Sequence, residues 1–100
     1  MDIGIKNYEL NNIIDVLKSF DEIESAIVFG SRAKGNYKKG SDIDLAIRGK
    51  KFNFSLLMTV IAKLDELYLP YKIDCIIYSQ IQNTELLDHI DRVGITIYNK

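Results

Sequence analysis

Between residues 8 and 20, apolar side chains recur every three or four positions. Leu10, Ile13, Ile14, Leu17 and Phe20 fall on one helical face, and Asn11, Asn12, Asp15 and Lys18 on the other, which predicts a helix there. The short apolar run Ile27, Val28, Phe29 reads as a buried strand over 25–29 that stops at Gly30. From 42 to 48 the pattern changes to strict alternation, with Ile43, Leu45 and Ile47 pointing one way and Asp42, Asp44 and Ala46 the other. A second long helix is predicted over 54–69, its stripe formed by Leu57, Val60, Ile61, Leu64 and Tyr68, with Pro70 just beyond its end. Residues 71–78, rich in β-branched and aromatic side chains, predict a third strand. Ser79 and Gln82 have capping-box spacing, and Leu86, Leu87, Ile90 and Val93 carry a helical face to Gly94. A short edge strand over 95–98 closes the chain. Helices alternating with strands in this order predict an α/β fold, a small sheet covered by helices.

Composition narrows the class. One hundred residues make one domain, residues 1–100, and 47% hydrophobic with 27% charged residues is ordinary for a globular chain. Thirteen Lys and Arg against fourteen Asp and Glu give a net charge of −1. No basic excess is present, so neither direct nucleic-acid binding nor membrane-surface binding is expected. Cys75 is the single cysteine and can form neither an internal disulfide nor, alone, a thiolate metal site. No apolar run approaches the roughly 18 residues of a membrane span, and the opening Met-Asp-Ile-Gly-Ile-Lys has no secretory leader. A cytoplasmic setting is expected.

Chemistry concentrates in two stretches, Gly30-Ser31-Arg32-Ala33-Lys34-Gly35 and Ser41-Asp42-Ile43-Asp44-Leu45. On a strand, residues i and i+2 share a face, which sets the carboxylates of Asp42 and Asp44 side by side, about 7 Å apart at the backbone. Like charges so placed raise each other's pKa unless a cation lies between them. Hard oxygen donors of this kind suit Mg²⁺. Asp74 is a third acid in an otherwise largely apolar strand, where burial without a partner would cost several kcal/mol. It pairs with Lys72, faces solvent on an edge strand, or joins the other two acids. In the last case the patch can hold two Mg²⁺ ions roughly 3.5–4 Å apart. The turn after Gly30 offers backbone N–H groups and the Ser31 hydroxyl to an anion, with Arg32, Lys34, Lys38 and Lys39 adding positive charge. The glycine, lysine and hydroxyl spacing of a Walker loop is absent.

Gly30-Ser31 followed by Ser41-Asp42-Ile43-Asp44-Leu45, with a later strand acid, resembles the DNA-polymerase-β-type nucleotidyltransferase superfamily. The Gly-Ser-Arg-Ala-Lys-Gly wording, the small size and the ending His89-Ile90-Asp91-Arg92-Val93-Gly94-Ile95-Thr96-Ile97-Tyr98 resemble its minimal nucleotidyltransferases, found beside helical HEPN-domain proteins. The resemblance implies a polymerase-β-like fold with a small mixed sheet. It implies Asp42, Asp44 and Asp74 as catalytic metal ligands, and Gly30, Ser31, Arg32 and Lys34 as the nucleotide-binding residues. Lys34 stands where many members carry arginine. The resemblance further implies Mg²⁺-dependent transfer of AMP from ATP to a hydroxyl, with a tyrosine of a HEPN ribonuclease toxin as acceptor and this chain as antitoxin. Two other readings remain open: an antitoxin that only masks its partner, and an enzyme acting on a small molecule of the aminoglycoside kind. Among the remaining polar residues, Lys38 and Lys39 read as a solvated loop and His89 as a surface residue. Cys75 reads as core, and Tyr98 as a packing or interface residue.

Overall fold

The computed structural model of the chain describes residues 2–100. Its elements run α1 (Asn7–Lys18), β1 (Ser25–Phe29), the one-turn α2 (Ser31–Lys34), β2 (Ile43–Arg48), α3 (Phe54–Asp65), β3 (Ile73–Ile77), a 3-10 turn (Tyr78–Gln80), α4 (Thr84–Val93) and β4 (Ile95–Asn99). The strands form one sheet in the order β3-β2-β1-β4. β1 pairs antiparallel with both β2 and β4, whereas β2 and β3 run parallel. The sheet is therefore mixed and the fold is α/β.

Alternation along the strands decides what each face meets. Ile43, Leu45 and Ile47 of β2 join Ala26 and Val28 of β1 in the main core, where α1 contributes Ile13 and Leu17 and α3 contributes Leu57, Val60 and Leu64. The other face carries a smaller cluster of Ile27, Phe29, Ala46 and Ile90, closed by α4. Each fully buried aliphatic side chain stabilises the fold by about 1.5–3 kcal/mol, so the layer under α1 and α3 supplies most of the stability. Across from it, the apolar cluster stops at Ala46, and the next residue of β2 on that face is Asp44. There the sheet turns from packing to chemistry.

Several boundaries differ from the sequence expectation. α3 ends at Asp65 rather than 69, because Leu67 and Tyr68 tighten onto the Leu64 and Asp65 carbonyls and Tyr68 then adopts a left-handed φ of 51°. Tyr68 is 89% exposed, so it leaves the apolar stripe predicted for it. β3 stops at Ile77, and Tyr78 and Ser79 enter the 3-10 turn. The cap of α4 is Asn83, whose Oδ1 accepts from the N–H groups of Glu85 and Leu86 at 2.9 and 3.2 Å. Ser79 lies too far upstream to serve.

Candidate active site

In the parallel β2–β3 pair, Asp44 lies opposite Asp74, between the pairs Ile43–Ile73 and Leu45–Cys75. Residues in register on adjacent strands project from the same face, so these two carboxylates share the α4 side of the sheet. Burial pushes the Asp44 carboxyl above the usual carboxylate range. The negative charges of Asp74 and then Asp42 push it further, and His89 pulls it back. Two other acids, Asp74 and Asp42, thus bear on Asp44. Asp74 combines the alternatives the sequence left open, lying opposite Asp44 while facing solvent beside Lys72. Its side chain is 44% exposed on an edge strand, with Lys72 Nζ 3.6 Å away.

The turn after β1 presses on the same spot. Phe29 faces Asp44 across the antiparallel pair, and Gly30 follows with φ 75° and ψ −153°. A Cβ at Gly30 would collide with Asp44 Oδ2, so a glycine is needed both for its positive φ and for the close approach. Lys34 and Gly35 N–H close the turn onto the Gly30 and Ser31 carbonyls at 3.1 and 3.0 Å. No side chain caps α2. The opening amides of a helix have no intrahelical acceptor, and here they begin at the half-buried Ser31. Lys34 is exposed at the far end of the turn.

Arg32 does not join this group. Its side chain is 1% exposed and lies against the rings of Tyr71 and Tyr37, 4.7 and 5.1 Å from their centroids. Its guanidinium donates to the Ile3 carbonyl at 2.7 Å and twice to the Ser41 carbonyl at 2.8 and 3.1 Å. The planar fork and stacking surface of arginine suit such a buried clamp. It ties together the N-terminal segment, the loop leading to Asp42 and the chain entering β3. The departure from expectation has a plain physical cause: the donors are occupied and no face of the side chain reaches solvent.

Of the residues singled out in the sequence, the structure sets Asp44 opposite Asp74 and against Gly30, leaves Asp42 in the loop just before β2 rather than within the strand, starts α2 at Ser31, and turns Arg32 inward. His89 was missed. Its Nε2 accepts the Gly30 N–H at 2.9 Å from 59 positions away, and no local spacing foretells such a contact. Glu9 was missed as well; it is buried in α1, accepting from Lys6 N–H at 3.0 Å and Tyr71 O–H at 3.1 Å. Cys75 packs against the main core, where burial and the charges of Asp74 and Asp65 push its thiol up to about 12. Among the described residues no three His, Cys, Asp or Glu side chains form a ready-made ligand cage. The fit to a divalent cation rests on donor chemistry: hard carboxylate oxygens from two strands on one face, with like charges that a cation would relieve.

Residues 11–100 match the family model described as polymerase beta, nucleotidyltransferase. A candidate protein adenylyltransferase of Methanocaldococcus jannaschii is 30% identical over 97 residues, covering 85% of this chain and 98% of that protein. Among solved structures, a chain from a toxin–antitoxin complex with AMP-PNP superposes with a TM-score of 0.74 at 20% identity, over 91% of this chain and 73% of that one. A chain from the complex of a tri-AMPylated Shewanella oneidensis HEPN toxin with an MNT antitoxin gives 0.65 at 17% identity, over 96% and 74%. At these identities the structural matches speak for the fold.

Proposed function

The chain belongs to the polymerase β nucleotidyltransferase family, and from that membership we propose that it transfers AMP from ATP to a protein hydroxyl, a tyrosine of a HEPN ribonuclease toxin that it neutralises as antitoxin. The observation that supports this reading most is the register of β2 and β3, which sets Asp44 opposite Asp74 while Gly30 closes on Asp44 from β1. The solved relatives in complex with toxins, and the one with AMP-PNP, support the partner and the nucleotide.

In this reading Asp42, Asp44 and Asp74 would hold Mg²⁺, two ions by the number of carboxylates. When bound, the metal supplies positive charge to the phosphate oxygens and acidifies the acceptor hydroxyl. The remaining work falls to the chain. The uncapped amides that open α2, with the Ser31 hydroxyl, cradle the triphosphate and hold the departing pyrophosphate. Lys34 adds charge at the open end of that turn. Asp74, the acid open to solvent on the edge strand, takes the proton of the incoming hydroxyl. Asp44, fixed between Gly30 and β3, keeps the attacking and leaving oxygens in line. Arg32 contributes by bracing the loop before Asp42 rather than by touching phosphate.

The test is to incubate the chain with Mg²⁺, ATP and a HEPN-domain protein from the same genome, and to weigh that protein by intact mass spectrometry. One or more added AMP groups are expected, and none from the Asp42→Ala/Asp44→Ala variant. An unmodified partner that is nonetheless neutralised would leave the masking role alone.

A further inference from the structure

The β1–β4 ladder ends at Val28, paired with Ile95, so Phe29 and Gly30 run on without a β4 partner. A side chain takes over where the ladder stops: His89 Nε2 accepts the Gly30 N–H at 2.9 Å. The imidazole is held at two further points. It meets the edge of Phe29 with ring centroids 6.2 Å apart and planes at 79°, and its neighbour Ile90 is buried against Ile27, Phe29 and Ala46. α4 therefore cannot shift without unpacking the smaller core cluster. Gly30 in turn sits in a conformation open only to glycine and lies within contact of Asp44. One continuous path runs from the core of α4 through an imidazole to the backbone of the β1–α2 turn, and from there to the central acid.

We propose that His89 is a positioning residue of this active site, using the Gly30 N–H to hold the Gly30/Ser31 turn in register with Asp44. The inference rests on the nucleotidyl-transfer reading above and adds to it a part for α4. The role differs from general packing, since Ile90 and the half-buried Leu86 supply the apolar contacts of the helix and His89 supplies a directional acceptor. It follows that a residue able to accept from Gly30 will do, and an apolar one of similar bulk will not.

Uniformly ¹⁵N-labelled protein tests this with His89→Leu and His89→Gln, the glutamine Oε1 replacing the acceptor. In wild type the Gly30 amide should exchange slowly with solvent. In His89→Leu it should exchange about 3–10-fold faster, the size of one hydrogen bond, and His89→Gln should restore most of the protection. In steady-state AMP transfer, KM for ATP should rise about 3–10-fold in His89→Leu with a smaller change in kcat, and return to within about twofold in His89→Gln. Thermal melts confirm that each variant is folded; if the leucine variant is not, His89→Ala carries the same comparison. A Gly30 amide unmoved by His89→Leu overturns the proposal, and so do leucine and glutamine variants that are equally impaired. Wild-type protein that transfers no nucleotide instead sinks the reaction reading, while the amide exchange still decides the His89 contact.

Discussion

Asp44 shows how one side chain sets function against stability. Burial raises its carboxyl above the ordinary range, with Asp74 and Asp42 adding to the shift. A raised value means the folded state favours the protonated form, so its contribution to stability is present below the ordinary carboxylate range and is lost as pH rises through the folded value. Asp44→Asn should therefore melt about 2–5 °C above wild type at pH 7, with the gap closing near pH ~3.5, while AMP transfer disappears. Scanning calorimetry at the two pH values checks it; a variant that melts lower at pH 7 contradicts the electrostatic account. Arg32 gives the opposite case. Arg32→Lys keeps the charge but loses the fork and the stacking on Tyr37 and Tyr71, and should cost on the order of 2–4 kcal/mol in urea denaturation. Were Arg32 a phosphate ligand, the melt would stay put and KM for ATP alone would rise.

At the level of elements, the site depends on where strands begin and turns bend. Gly30 carries the tightest requirement, because its φ of 75° and its approach to Asp44 both exclude a side chain. Gly30→Ala should lose about 1–3 kcal/mol of stability and lower transfer at least about 100-fold by displacing the turn, measured by urea melts and by AMP incorporation. Asn83 caps α4 with two hydrogen bonds, and Asn83→Ala should cost about 1 kcal/mol while leaving kcat unchanged so long as His89 stays in place. Strand interiors and helix stripes were legible from period alone: Ile13 and Leu17, or Ile43, Leu45 and Ile47, are buried as their spacing requires. Ends were not. The left-handed turn at Tyr68 and the choice of Asn83 over Ser79 as cap follow from local backbone geometry that several sequences satisfy equally well.

For the molecule as a whole, the division of labour follows from its faces. One side of the sheet is fully occupied by α1 and α3, and the other is closed by α4 only as far as Ala46, leaving the acids open. A carboxylate cluster held together by the fold should gain stability from any cation that binds it. Saturating Mg²⁺ is therefore expected to raise the wild-type melting temperature by about 3–10 °C through mass action, and to leave Asp42→Asn/Asp44→Asn unmoved. Differential scanning fluorimetry across a Mg²⁺ titration decides this, and an equal response from the double variant would mean the ion binds elsewhere. A net charge of −1 provides no general attraction for polyanions.

Local order and chemical vocabulary were written into the sequence. The period of its apolar residues yields the succession of helices and strands, because it depends only on backbone geometry a few residues long; β2 begins at Ile43, so Asp42 lies in the loop before it rather than on a strand face shared with Asp44. The alliance of Asp44 with Asp74 needed the parallel pairing of β2 with β3, the inward turn of Arg32 needed two tyrosines from distant segments, and the contact of His89 with Gly30 needed the end of the β4 ladder. Those were decided by the tertiary structure, since strand register and buried polar pairing are set by how the whole core packs rather than by the spelling of any one stretch.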